Sequence, residues 1–209
     1  MHPKIIAPEK IEEESFRIIE AELGQHSFSE REFQVVRRVI HASADFEFAK
    51  NIRFHPEAIS SGVAALQRGG PVVADVEMIQ AGISKSGLKR FGGEVNCYIS
   101  DEDVMDEAKR LGITRAICSM RKAVKTGAEI YTIGNAPTAL FELIRLVQEG
   151  ASRPALIVGV PVGFVSAVES KEALLELQTP FITTLGRKGG TPVAVAIMNA
   201  LIRLASSSQ

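Results

Sequence analysis

Short β-prone runs at residues 72–76, 95–99, 130–133, 156–160 and 181–185 alternate with amphipathic stretches at 101–111, 113–125, 139–149, 165–177 and 192–204. This alternation leaves few folds open. Strands joined through helices run parallel, and the helices must cover both faces of the sheet. The expected fold is α/β: a three-layer α/β/α arrangement around a mostly parallel, five-stranded, Rossmann-like sheet. No linker divides the 209 residues, so a single domain is expected, with a mainly helical N-terminal segment at 1–70 and the βα core at 71–205.

Within the N-terminal segment, residues 7–23 read as an acidic helix carrying Ile11, Phe16, Ile19 and Leu23 toward a partner surface, with Gly24 as its stop. Ser29 with Glu32 three residues on is a capping box for a helix reaching about His41. Residues 51–69 read as a further helix, with Pro56 in its first turn and Gly69-Gly70-Pro71 ending it. The Ser-rich C-terminal end is expected to fray.

Three of the strands stop at small-residue loops that open directly into helices: EIYTIGNAPT at 129–138, ALIVGVPVGFV at 155–165 and FITTLGRKGGT at 181–191. Small residues let backbone approach a ligand, and each following helix directs unpaired N–H groups and its positive dipole end at the loop. Turn chemistry alone accounts for any one of them. Three on one edge, beyond the carboxyl ends of parallel strands, make a binding rim. Gly134, Asn135, Gly163, Arg187, Gly189 and Gly190 are its candidate ligand contacts.

Lys and Arg number 24 against 25 Asp and Glu, for a formal charge of −1. The chain is therefore no polycation built for nucleic acid, and attraction for anions must be local. Cys97 and Cys118 are too far apart for a CxxC motif and are expected to be reduced. No apolar run approaches the ~20 residues of a membrane span, and a cytoplasmic protein without a membrane partner is expected. There is no GxGxxG after a strand, no GxxxxGK[ST], no HExxH, no GxSxG and no Asp-x-His-x-x-Gly, and His2, His26, His41 and His55 are scattered. Nucleotide and metal sites thus have no motif support, which leaves acid/base chemistry and positioning.

On a helical wheel of residues 30–41, Phe33, Val35, Val36, Val39 and Ile40 share one broad arc, while His41 falls on the other side with Arg37 and Arg38. A histidine off an apolar stripe is either a surface residue or a proton donor. The C-terminal turn of a helix favours a positive side chain there, the two arginines oppose it, and substrate carboxylates would tip the balance. Asp45 either orients the ring or is an ordinary loop acid. In residues 113–125, Arg115, Arg121, Lys122 and Lys125 fall within roughly a 120° sector opposite Ala116, Ile117, Met120, Ala123 and Val124. That face is either solvated or turned to a substrate with several carboxylates, with Lys85, Lys89, Arg90, Arg187 and Lys188 as further candidates.

The chain resembles the precorrin-8X methylmutase family along essentially its whole length. The matching stretches are ESFRIIEAE at 14–22, RRVIHASADFE at 37–47, DVEMIQAGI at 75–83, IGNAPTALFELI at 133–144, PALIVGVPVGFVSAVESKEAL at 154–174 and GRKGGTPVAVAIMNAL at 186–201. The resemblance implies a cofactor-free, metal-free isomerisation in cobalamin biosynthesis. In it a methyl group moves from carbon 11 to carbon 12 on ring C of precorrin-8X or cobalt-precorrin-8, giving hydrogenobyrinic or cobyrinic acid. It implies that His41 protonates ring C, and that Ser15, Arg38, Ser84 and Arg115 contact the polycarboxylated corrinoid precursor. Ser84 stands where the family often has Thr. It also implies a homodimer with the active site at the interface. A non-catalytic corrinoid-binding or delivery protein, or a generic nucleotide-binding module, would use the same loops, but only the enzyme needs an ionisable His41.

Overall fold

The structure is a computed structural model and describes residue 7 and residues 10–207. His2 and the last two residues of the Ser-rich end lie outside the described residues. Among the described residues, six strands form one sheet: β1 (Ile52–Phe54), β2 (Val72–Ala74), β3 (Val95–Asn96), β4 (Ile130–Ile133), β5 (Leu156–Gly159) and β6 (Phe181–Thr184). Their order across the sheet is β1-β6-β5-β4-β2-β3. Only β1 runs antiparallel to its neighbour.

All five expected strands are present, and the sixth is a correction. The chain at 52–54 is strand, where helix was expected over 51–69. Pro56 disfavours a helical conformation at His55 and so keeps the preceding residues extended. Ile52, Arg53 and Phe54 then pair with Thr184, Thr183 and Ile182 on the sheet edge. The helix itself starts later, as α4 below.

The helices are α1 (Ile11–Leu23), α2 (Glu30–Ser43), α3 (Phe48–Asn51), α4 (Ala58–Gln67), α5 (Glu77–Gly82), α6 (Lys85–Lys89), α7 (Glu102–Leu111), α8 (Arg115–Lys125), α9 (Pro137–Gln148), α10 (Ala167–Leu175) and α11 (Thr191–Ser207). The capping box forms as read: Ser29 Oγ accepts from Glu32 N and Glu32 accepts from Ser29 N. The short helices α3, α5 and α6 have too few turns to show a period in sequence. Ser206 and Ser207 belong to the last helix, which runs to Ser207.

Strand residues alternate between two cores. Val72, Ala74, Ile130, Leu156, Val158 and Ile182 pack with α2, α4, α5, α6 and α11. Val73, Tyr131, Ile133, Ile157 and Phe181 pack with α8, α9 and α10 on the other face. Strands β2, β4, β5 and β6 are buried on both faces, which is why these runs read as continuous apolar sequence. Helix α11 lies across the first face against β4 and β5, α2 packs on α11, and α1 packs on α2. The N-terminal helices are thereby stacked outside α11. No helix among the described residues is long and apolar enough to cross a membrane.

Candidate functional site

The three loops converge at the carboxyl ends of the parallel strands. Gly190 N donates to Val160 O at 2.8 Å, and Gly163 N donates to Arg187 O at 3.2 Å. Between them lies a cleft of about 420 Å³ lined by Val76, Met78, Gly134, Asn135, Val162, Gly189, Gly190, Thr191 and Pro192. Glycine is required at 189, because a Cβ there would stand 2.2 Å from the Val160 carbonyl oxygen. Gly190 has φ of 114°, a conformation side chains avoid. Beside the cleft, Arg187 lies 5.3 Å from the centre of the Phe164 ring. Phe164 and Val165 are 84% and 83% exposed, so the rim offers apolar surface as well as backbone polar groups.

Two buried charged residues brace this rim, and the sequence reasoning missed both as site residues. Asp75, at the end of β2, accepts from Gly134 N at 3.2 Å, Asn135 N at 2.9 Å and Ala136 N at 2.8 Å. Burial pushes its carboxyl up, against the pull of the three N–H donors. An acid directly after an apolar run was the available signal. Lys171 on α10 is buried, and its Nζ donates to Lys188 O at 2.8 Å and Thr184 Oγ1 at 3.4 Å. Burial pushes the Lys171 amine down to about 8. Nothing in the sequence separates it from a solvated helix lysine.

Arg38 and His41 lie three apart on α2 and share one side of it, and Asp45 follows just past the helix end, after the left-handed Ala44. Asp45 does not bond to His41. Its carboxylate takes Lys188 Nζ, joined by Glu47 at 2.8 Å, and this ion pair holds the Asp45 carboxyl below the usual carboxylate range. The helix end is thereby tied to the β6–α11 loop. His41, in the last turn of α2, is exposed and meets the edge of Phe16 at 5.3 Å. Its arginine neighbours are matched by acids of α1: Arg37 with Glu20, and Arg38 with Glu12 at 2.8 Å. Ser15 Oγ donates back to Ile11 O at 2.8 Å.

Arg38 and Ser84 line a second cavity, of about 480 Å³, with Ser86, Arg90, Asn199 and Arg203. Ser84 caps α6 by accepting from Gly87 N, and its own N–H donates to Asn199 Oδ1 at 2.8 Å. The cavity and the cleft are two ends of one stripe. Between the two ends of α11, the residues not buried are Pro192, Val195, Asn199 and Arg203, at spacings of three and four, with Thr191 before them and Ser206 and Ser207 after. They span roughly 16 Å at 1.5 Å per residue. His41 sits one turn beyond Arg38 toward the tied end of α2, and it is among the lining residues of neither the cavity nor the cleft.

Arg115 is not brought to this groove within one chain. It opens α8 on the opposite face of the sheet, in a hollow of about 420 Å³ with Met105, Lys109 and Ile113. The start of α8 is nonetheless tied to the start of α9, the helix that follows the β4 loop, since the α8 cap Thr114 reaches Thr138 of α9 at 3.2 Å. The basic face of α8 is largely neutralised: Arg121 pairs with Glu142 at 2.7 Å, and Lys122 with Asp101 at 2.6 Å and Asp103 at 2.7 Å. Arg115 has no ion pair among the described residues.

The family model described as precorrin-8X methylmutase matches residues 10–204. A cobalt-precorrin-8 methylmutase of Priestia megaterium is 55% identical over 206 residues, covering 98% of this chain and 92% of the relative. A cobalt-precorrin-8 methylmutase of Leptospira interrogans is 51% identical over 205 residues, covering 94% and 93%. The solved structure of a precorrin-8X methyl mutase from Thermus thermophilus superposes with a TM-score of 0.88 at 43% identity, covering 95% of this chain and 98% of that one.

Proposed function

The chain belongs to the precorrin-8X methylmutase family and is an isomerase of cobalamin biosynthesis; from that premise we propose that His41 is its acid, working in the groove along α11. The substrate is precorrin-8X or cobalt-precorrin-8, and the methyl group moves from carbon 11 to carbon 12 of ring C. The observation that carries this reading is the position of His41, exposed and free of side-chain hydrogen bonds among the described residues, one helical turn from the cavity-lining Arg38 and near the helix end that Asp45 ties to Lys188 in the loop before α11.

A proton delivered to ring C withdraws electron density from the conjugated system, so the neighbouring carbon accepts the methyl group with its bonding pair. The proton is returned as the corrin chromophore forms, so atoms and charge balance without oxidant or reductant. Arg38 and Ser84 suit a carboxylate side arm. Phe164, Val165, Met78 and Val162 suit the apolar face of the macrocycle, while Gly134, Asn135, Gly163, Arg187, Gly189 and Gly190 border it. A delivery protein would need the same walls and no histidine there, and the relatives named as methylmutases do not favour it.

The chain acts as one domain in this reading, with residues 1–70 supplying Ser15, Arg38 and His41 and residues 71–205 the rest. It acts as a homodimer. Arg115 lies on the far face of the sheet from the groove, at the helix start tied to α9, so in this reading a two-fold partner brings its Arg115 over the groove. Incubating the purified protein separately with precorrin-8X and cobalt-precorrin-8 tests the reaction. A change in visible spectrum at constant mass is expected, and unchanged spectra with both would refute the isomerase reading.

A further inference from the structure

The second cavity holds more positive charge than its own residues neutralise. Arg38, Arg90 and Arg203 line it with Ser84, Ser86, Asn199, Ser206 and Ser207, and no carboxylate is among its lining residues. Among the described residues, the one acid that reaches these arginines is Glu12 of α1. Its Oε1 accepts from Arg38 Nη2 and from Arg203 Nη1, both at 2.8 Å, and its Oε2 faces Arg38 Nη1 at 3.4 Å and Arg203 Nη2 at 3.5 Å. Two forks thus grip a single carboxylate, which is the arrangement by which guanidinium pairs recognise a carboxylate ligand. The two arginines hold the Glu12 carboxyl below its ordinary value, against the opposing effect of burial.

Resting on the isomerase reading above, we propose that this cavity is a carboxylate subsite for a side arm of the ring, that Arg90 and Arg203 are binding residues of it, and that Glu12 occupies its mouth in the free protein as an internal stand-in. Among the described residues, three arginines stand against one acid, which leaves room for a further anion. Glu12 is 41% exposed, so its bonds form in contact with solvent and are readily exchanged. A carboxylate arm entering along the stripe from His41 reaches Asn199 and then Arg203, takes over the two forks and releases Glu12 to water. Arg90 and the hydroxyls of Ser84 and Ser86 then face the arm from α6. Substrates lacking that arm leave Glu12 in place, which makes the contact a means of selection.

The test uses the full chain and two probes: hydrogenobyrinic acid, titrated calorimetrically, and citrate, a polycarboxylate without a ring, read by its effect on melting temperature. Glu12→Gln removes the competitor and is expected to tighten hydrogenobyrinic acid binding several-fold and to enlarge the stabilisation by citrate. Arg90→Gln and Arg203→Gln are expected to weaken hydrogenobyrinic acid binding by about tenfold each. Arg110→Gln, an equal loss of charge on α7, is expected to leave it unchanged. If Glu12 merely ties α1 to the core, Glu12→Gln lowers the melting temperature and leaves both affinities unchanged or weaker, and the stand-in is overturned. Full affinity in the Arg90 and Arg203 variants overturns the subsite while the isomerase reading stands. If the wild type fails to bind hydrogenobyrinic acid, the metal-free product is not its ligand, and the citrate response of Glu12→Gln decides for or against the subsite.

Discussion

Lys171 Nζ donates to the backbone carbonyl of Lys188 at 2.8 Å, so a buried amine on α10 holds the loop whose own lysine side chain grips Asp45 at the end of the His41 helix. The amine has no carboxylate partner among the described residues, and its downward shift to about 8 comes from burial. Below that pH it is charged in both folded and unfolded chains, and the folded protein bears the full cost of burying charge. As pH rises from about 8 toward 10.5, the folded chain loses this proton first while the unfolded chain keeps it, so stability rises. Urea melts should show the wild type gaining on the order of 1–3 kcal/mol relative to Lys171→Met across that window. Parallel pH profiles would show that the amine is not shifted.

Asp75 anchors the opposite side of the cleft by accepting three backbone N–H groups. In Asp75→Asn one of the two oxygens becomes an NH₂ donor, and at least one N–H loses its partner in a buried place. A loss of about 2–4 kcal/mol in unfolding free energy is expected, with weaker product binding as the loop at 134–136 loosens. A melting temperature equal to that of the wild type would show that the loop holds its shape without the carboxylate.

His41→Ala should separate chemistry from folding. The side chain is exposed and makes no side-chain hydrogen bond among the described residues, so calorimetry is expected to give an unchanged melting temperature. Turnover is expected to fall by ~10²–10⁴-fold, the usual contribution of a general acid. Near-full turnover would remove His41 from the mechanism.

The homodimer is tested by complementation. His41→Ala and Arg115→Ala chains, each inactive or weak alone, are mixed under conditions of confirmed subunit exchange. If His41 and Arg115 of one site come from different subunits, a hybrid dimer places both lesions in one site and leaves the other intact, so activity is recovered. No recovery would assign both residues to a single chain.

Local pattern determined much of this protein. The five parallel strands, the capping box at Ser29 and the three small-residue loops were readable because each is written in adjacent residues: a run of apolar side chains, a hydroxyl three positions before a glutamate, glycines at a strand end. The family resemblance singled out Ser15, Arg38, His41, Ser84 and Arg115 in the same linear way. Tertiary structure alone decided what those residues meet. The strand at 52–54 exists through pairing with β6, and its three residues carry no period of their own. Arg121 and Lys122 looked available to a ligand until folding set Glu142, Asp101 and Asp103 against them. Asp75 finds its farthest N–H donor 61 positions along the chain, and Glu12 reaches Arg203 across 191. Hydrophobic periodicity depends on neighbours within a turn or two, whereas ion pairs and buried hydrogen bonds depend on which distant surfaces the core brings together, so the elements could be read before the fold and the charged framework of the site only after it.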